Sequence, residues 1–188
     1  MEINIIREKR RSFELRVTDG TPVLRVPKKT TDAEAEEFLR KHRRWIENRI
    51  SSYEKQKEIE ASAEPLTVEE LREIAGKAAV YIPERVGYFA GVMGLKYGRI
   101  TIRRQKTKWG SCSSKGNLNF NCLLMLAPPE VIDSIVVHEL CHLRYLDHGS
   151  GFRSMVLKYC PDYDDTEKWL KENGRALIAR LPAEVGRS

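Results

Sequence analysis

Apolar and polar positions change period along the chain, and the changes mark out its elements. Residues 2–27 fall into short alternating runs, Ile-Asn-Ile-Ile, then Ser-Phe-Glu-Leu-Arg-Val and Val-Leu-Arg-Val, the period of half-buried strands. The Asp19-Gly20 pair between the last two runs is a hairpin signal. From Thr31 the period lengthens. Thr31 and Glu34 have capping-box spacing, and Phe38, Leu39, Trp45, Ile46 and Ile50 recur at helical spacing, which predicts an amphipathic helix running past Tyr53. Apolar content then drops from Glu54 to Pro65. We place a link there, between a hairpin-and-helix module over 1–60 and a second part over 61–188. Thr67 and Glu70 repeat the capping box and predict a helix through about Tyr81, and Pro83 opens another helical stretch ending near Gly94.

Alternation returns at Arg99–Arg103 and Asn117–Cys122, predicting two strands joined by a turn at Ser113–Gly116. The stretch 128–152 is helical in period. Val131, Ile132, Ile135, Val136, Leu140 and Leu143 line one side, Pro129 suits a first helical position, and Glu130 complements the helix dipole. Gly149 and Gly151 are expected to end that helix. Phe152, Met155, Val156 and Tyr159 form a further apolar face, and Trp169, Leu170, Ala176, Leu177 and Leu181 a last helix, both expected to pack behind the 128–152 segment. Strands and helices in this order predict an α+β fold.

Composition narrows the class. With 188 residues, 41% hydrophobic and 32% charged, the chain can bury a sizeable core and is not broadly disordered. Charges run through the N-terminal residues, no secretory signal is visible, and the apolar runs are too short to span a bilayer, so a cytoplasmic protein is expected. Cys112, Cys122, Cys141 and Cys160 are widely spaced without a C-x-x-C pair, which predicts reduced thiols packed in the core. His42, among charges, is expected to face solvent. The net charge of +6 favours anionic partners, with basic groups at Arg7, Lys9, Arg10 and Arg11, at Lys41, Arg43 and Arg44, and at Arg103, Arg104, Lys106 and Lys108.

One arrangement demands a specific chemistry. His138, Glu139 and His142 form H-E-x-x-H, which sets two imidazoles on one helical face with a carboxylate beside the first. Zinc is the natural occupant of two or three neutral imidazoles with one open position, and Glu139 is placed to take a proton from water activated there. His148 would point away from this face if the helix simply continued, although a turn near Asp147 could return it. Glu167 is the alternative third ligand. Tyr145, Tyr159 and Tyr163 are candidates to stabilise an oxyanion.

Three segments, RVPKKTTDAEAEEFLRKHRRWI, KTKWGSCSSKGNLNFN and LAPPEVIDSIVVHELCHLRYLDHGSGF, closely resemble the YgjP-like metallopeptidases, relatives of the SprT and Wss1 zincins. The resemblance implies a zincin-like fold, zinc on His138, His142 and His148, and Glu139 as general base. The histidine spacing is also that of the metzincins, but Tyr145 stands where those have a turn-forming glycine. The resemblance further suggests that the hairpin before the zinc helix binds an extended peptide by β-augmentation. Trp109, Gly110 and Ser111 would then lie near the cleft, with Gly110 allowing close backbone approach. The alternative is a core tryptophan followed by a glycine bulge.

The expected function is zinc-dependent hydrolysis of a peptide or protein substrate. A nucleoside triphosphate could be attacked at the same site if Arg103, Arg104, Lys106 and Lys108 bind its phosphates. Nucleic-acid binding through the basic groups, as a binding module or as a DNA-associated protease, is the third reading.

Overall fold

A computed structural model of the chain describes residues 3–182. The chain divides between Ser62 and Ala63 into two compact units.

In the first unit, β2 (Glu14–Thr18) and β3 (Thr21–Pro27) form the expected hairpin around Asp19 and Gly20, and β1 (Asn4–Glu8) pairs with the other side of β3 in parallel. Asp19 and Gly20 both have positive φ, 51° and 77°, as a two-residue turn between twisted strands requires. Leu24 and Val26 point from β3 onto Ala35 of α1 (Asp32–Ser62), with Ile5, Leu15, Phe38 and Leu39 around them. Thr31 and Glu34 close the predicted capping box, Glu34 N–H donating to the Thr31 hydroxyl at 3.3 Å and Thr31 N–H to the Glu34 carboxylate at 2.8 Å.

Two expectations change here. The stretch expected to begin a link at Glu54 is helical through Ser62. Its Glu, Lys, Gln and Ala residues are good helix formers, and Gln56 reaches Glu60 one turn on at 2.8 Å, so low apolar content marked a solvated helix rather than a loop. His42 is half-buried rather than solvent-facing: it stacks on Phe38 at 4.1 Å between centroids and donates from Nδ1 to the Phe38 carbonyl at 2.7 Å.

The second unit is built on α2 (Val68–Met93), one helix where two were expected. Pro83 sits inside it, at a cost of about 3 kcal/mol. Leu71, Ile74, Ala78, Ile82, Val86, Ala90 and Met93 form an unbroken buried stripe on both sides of the proline. At about 1.5–3 kcal/mol per large buried apolar side chain, the stripe outweighs the missing hydrogen bond. The helix opens on the Thr67–Glu70 capping box and closes at Gly94, whose φ of 65° is left-handed.

A small sheet follows, with β4 (Ile100–Arg103) parallel to β6 (Leu118–Asn121) and β5 (Gly110–Cys112) antiparallel to β6. The expected hairpin between the two alternating runs is therefore corrected. The hairpin partners are β5 and β6, and β4 lies on the far side of β6. The strand read as Gly-Ser-Cys has no hydrophobic alternation to reveal it. Leu118 and Phe120 turn inward with no exposure, and a short 3-10 helix, Cys122–Leu126, leads to α3 (Pro129–Cys141). Then come α4 (Ser150–Tyr159) and α5 (Tyr163–Ala179), both packed on α3 as expected. Arg85 of α2 grips Asp133 of α3 with two 2.7 Å bonds. The architecture is α+β. No helix among the described residues is long and apolar enough to cross a membrane.

Candidate active site

The helix that carries the histidine motif stops sooner than its period suggests. α3 ends at Cys141, not at Gly149. Leu143 N–H then bonds to Leu140 O at 3.1 Å, while Arg144 and Tyr145 N–H bond to Cys141 O at 3.0 and 2.9 Å, winding the chain through a tight turn. Asp147 closes it by accepting from Gly149 N–H at 3.1 Å. Gly149 and Gly151 thus begin α4 instead of ending α3. The turn needs no left-handed residue at Tyr145: among the described residues only Asp19 combines a side chain with positive φ.

This early stop brings His148 back over α3. His138 Nε2 lies 3.1 Å from His142 Nε2 and 3.3 Å from His148 Nε2. Ligand atoms bound tetrahedrally at about 2.0–2.1 Å from one zinc ion stand about 3.3–3.4 Å apart, so these spacings suit a single ion. The tautomers suit it as well. His142 Nδ1 is 3.0 Å from the Tyr145 carbonyl; a carbonyl only accepts, so the ring proton sits on Nδ1 and the Nε2 lone pair faces the other histidines. The Tyr163 hydroxyl is 2.7 Å from His138 Nδ1 and can fix that ring in the same way. Burial, followed by the neighbouring His142 and His148, pushes His138 down to about 4, which keeps it neutral and able to bind a cation. Phe152, 3% exposed, backs all three rings at centroid distances of 4.9, 4.8 and 4.7 Å.

Glu139 follows His138 on α3 and is buried against β5. Its Oε2 has no hydrogen-bond partner among the described residues. Burial raises its carboxyl to about 7, partly opposed by the Lys108 ammonium. A buried, unpaired carboxylate costs several kcal/mol in an ordinary core. Here it is held close to the protonation balance that a proton-transfer group needs.

The strand against Glu139 is the outer edge of the sheet. A methyl group at Gly110 would lie 2.6 Å from Glu139 Oε1, so the backbone of β5 lies directly on the carboxylate. Asn121, without exposure, holds the approach to this strand. Its Nδ2 donates to the carbonyls of Gln105 and Lys108 at 2.7 and 3.1 Å, and its N–H donates to Trp109 O at 2.8 Å. Trp109 lies half-buried across α5, where a Cβ at Gly174 would meet its ring at 3.1 Å. Ser111 Oγ accepts from Asn119 at 3.2 Å.

The sequence matches the YgjP-like metallopeptidase domain over residues 11–77 and 62–173. The chain belongs to the YgjP-like metallopeptidase family. It is therefore an enzyme of the hydrolase class. Among solved structures it is similar to the metallopeptidase zymogen jannalysin of Methanocaldococcus jannaschii, at 22% identity over 49% of this chain and 95% of that one, with a TM-score of 0.45. It is also similar to the metallopeptidase zymogen abylysin of Pyrococcus abyssi, at 19% identity over 50% of this chain and 96% of that one, with a TM-score of 0.43. No curated protein matches.

Other candidates of this YgjP-like chain fall outside the histidine cluster. Glu167 is on α5 beside Trp109, and the group of possible ligands among the described residues consists of His138, His142 and His148. Arg103 bonds to Asn119 at 3.1 Å from the end of β4, while Arg104, Lys106 and Lys108 are exposed on the loop into β5. Tyr163 spends its hydroxyl on His138, Tyr145 lends its carbonyl to His142, and Tyr159 packs against the core with Lys158 over its ring. Cys141 is fully buried and pushed up to about 12 by burial, unsuited to ligating a metal; Cys122 is buried, and Cys112 and Cys160 are half-buried. The sequence reading missed Asn121 and took Phe152 only as part of a core face. An asparagine inside an alternating strand signals nothing until the loop it holds is seen.

Proposed function

We propose that the chain is a zinc-dependent peptidase in which His138, His142 and His148 hold the ion and Glu139 is the general base. The observation that carries this reading is the convergence of three imidazole Nε2 atoms, two of them 3.1 and 3.3 Å from the third, beside a buried carboxylate with an unpaired oxygen. Zinc bound there supplies a Lewis acid that polarises a carbonyl and acidifies water. The chain's own groups do the rest. Tyr163 and the Tyr145 carbonyl hold two of the imidazoles in the tautomer that presents Nε2. Glu139 takes a proton at its unpaired oxygen and passes it on to the departing amine. The edge of β5 offers main-chain donors and acceptors to an extended peptide, which places the scissile bond next to Glu139.

The family favours a peptide or protein over a nucleotide or nucleic acid. The test is Glu139→Gln assayed on an unfolded protein. The variant is expected to keep about one zinc per chain and to lose hydrolysis by about 10²–10⁴-fold. Wild-type rates in the variant, or hydrolysis of nucleoside triphosphates and not of peptides by the zinc-loaded wild type, would overturn the proposal.

A further inference from the structure

An open hollow of about 560 Å³ is lined by Trp109, Asp164, Glu167, Lys168, Leu170 and Lys171. Both of its borders adjoin groups already described. Trp109 immediately precedes Gly110, which touches Glu139, and Asp164 immediately follows Tyr163, whose hydroxyl meets His138. One wall is a single face of α5, since positions 164, 167, 168 and 171 stand one turn apart. The next position on that face is Gly174, where the missing side chain lets the indole of Trp109 lie against the helix. The floor is therefore fixed from two sides, by Gly174 under the ring and by Asn121 on the Trp109 carbonyl.

The chemistry of the lining indicates what would enter. Indole and Leu170 supply its apolar surface. Both oxygens of Asp164 are engaged by Arg153, at 2.8 and 2.7 Å, which leaves Glu167 against Lys168 and Lys171. These leave one net positive charge on exposed positions, where lysine stems cover apolar surface while the ammonium groups stay in water. Selection then rests on shape and apolar area, for which a flat indole floor favours a ring or a branched aliphatic chain. A peptide lying on β5 turns alternate side chains to opposite faces, so one of them can enter the hollow beside the scissile bond.

We propose that this hollow is the specificity pocket of the enzyme, receiving one large apolar or aromatic side chain of an extended peptide, a claim that rests on the peptidase reading above. The experiment uses the zinc-loaded full chain and peptides that differ at one position, Phe, Leu, Ala, Glu or Lys, with cleavage sites mapped by mass spectrometry. Phe or Leu is expected to exceed Ala in kcat/KM by about 10-fold or more. Trp109→Ala is expected to erase most of that preference. The surface pair Lys168→Glu and Lys171→Glu, which leaves the core untouched, is expected to move the preference at that same position toward Lys, and this second arm decides the matter if Trp109→Ala does not fold. A flat profile in the wild type, or an unchanged profile in the folded variants, overturns the pocket and leaves the peptidase reading standing. No cleavage by the wild type and no peptide binding by Glu139→Gln overturns both.

Discussion

Gly110 lies so close to Glu139 that a single added methyl group would stand 2.6 Å from Oε1 and 2.7 Å from Cγ. The edge strand and the carboxylate are thus fitted to each other, and the fit depends on the absence of a side chain. Glu139 has little room to retreat, because it is buried to 5% exposure against β5. Gly110→Ala is expected to displace the carboxylate by a fraction of an ångström while zinc binding survives. Misplacement on the scale of 1 Å costs about 10²-fold in rate. Peptidase kinetics on zinc-loaded protein check this, and an active Gly110→Ala enzyme would remove the contact from the account.

Tyr163→Phe keeps the ring that fills the core and deletes only the hydroxyl at 2.7 Å from His138 Nδ1. Loss of such a partner behind a metal ligand weakens affinity by about 10–100-fold. Competition with a zinc chelator measures the change, and equal affinities in variant and wild type would show that the hydroxyl does not orient the ligand.

Asn121→Ala leaves the carbonyls of Gln105 and Lys108 without the amide that now bonds to both. A group left unpaired in a fully buried setting costs about 1–3 kcal/mol, and these two bonds, each part-buried, together reach that range. Urea unfolding is expected to show a loss in that range, with faster hydrogen exchange in residues 104–109 than in α2. An unchanged midpoint would mean that water replaces the amide without penalty.

The Thr67–Glu70 capping box gives a pH signature. Glu70 is held below its usual value of 4.5, chiefly by the Thr67 N–H and then by the Thr67 hydroxyl. A depressed carboxyl contributes stability above its unfolded value and loses it as the pH falls through the folded one. Glu70→Ala is therefore expected to unfold earlier than wild type at pH 7, with the gap narrowing as the pH drops below 4.5. A gap that stays constant with pH would exclude the carboxylate as its source.

Much of this was legible in the sequence because local rules operate at particular residues. Asp19-Gly20 specifies its turn, both capping boxes start the helices they predict, and the motif residues stand on α3. What could not be read depends on tertiary context. Pro83 looked like a helix start because its buried stripe is visible only once α2 is packed. β5 carries no alternation, so its pairing with β6 and its approach to Glu139 were hidden. The early end of α3 has no glycine or proline to announce it, yet that stop is what delivers His148.

The central claim is that three imidazoles of this chain hold one zinc ion, and X-ray absorption at the zinc edge of the metal-loaded protein tests it most directly. The account predicts about one ion per chain with nitrogen and oxygen neighbours at about 2.0–2.1 Å, and imidazole scattering from three histidines. A shell containing sulfur at about 2.3 Å, or protein that retains no zinc after excess metal is removed, would contradict it.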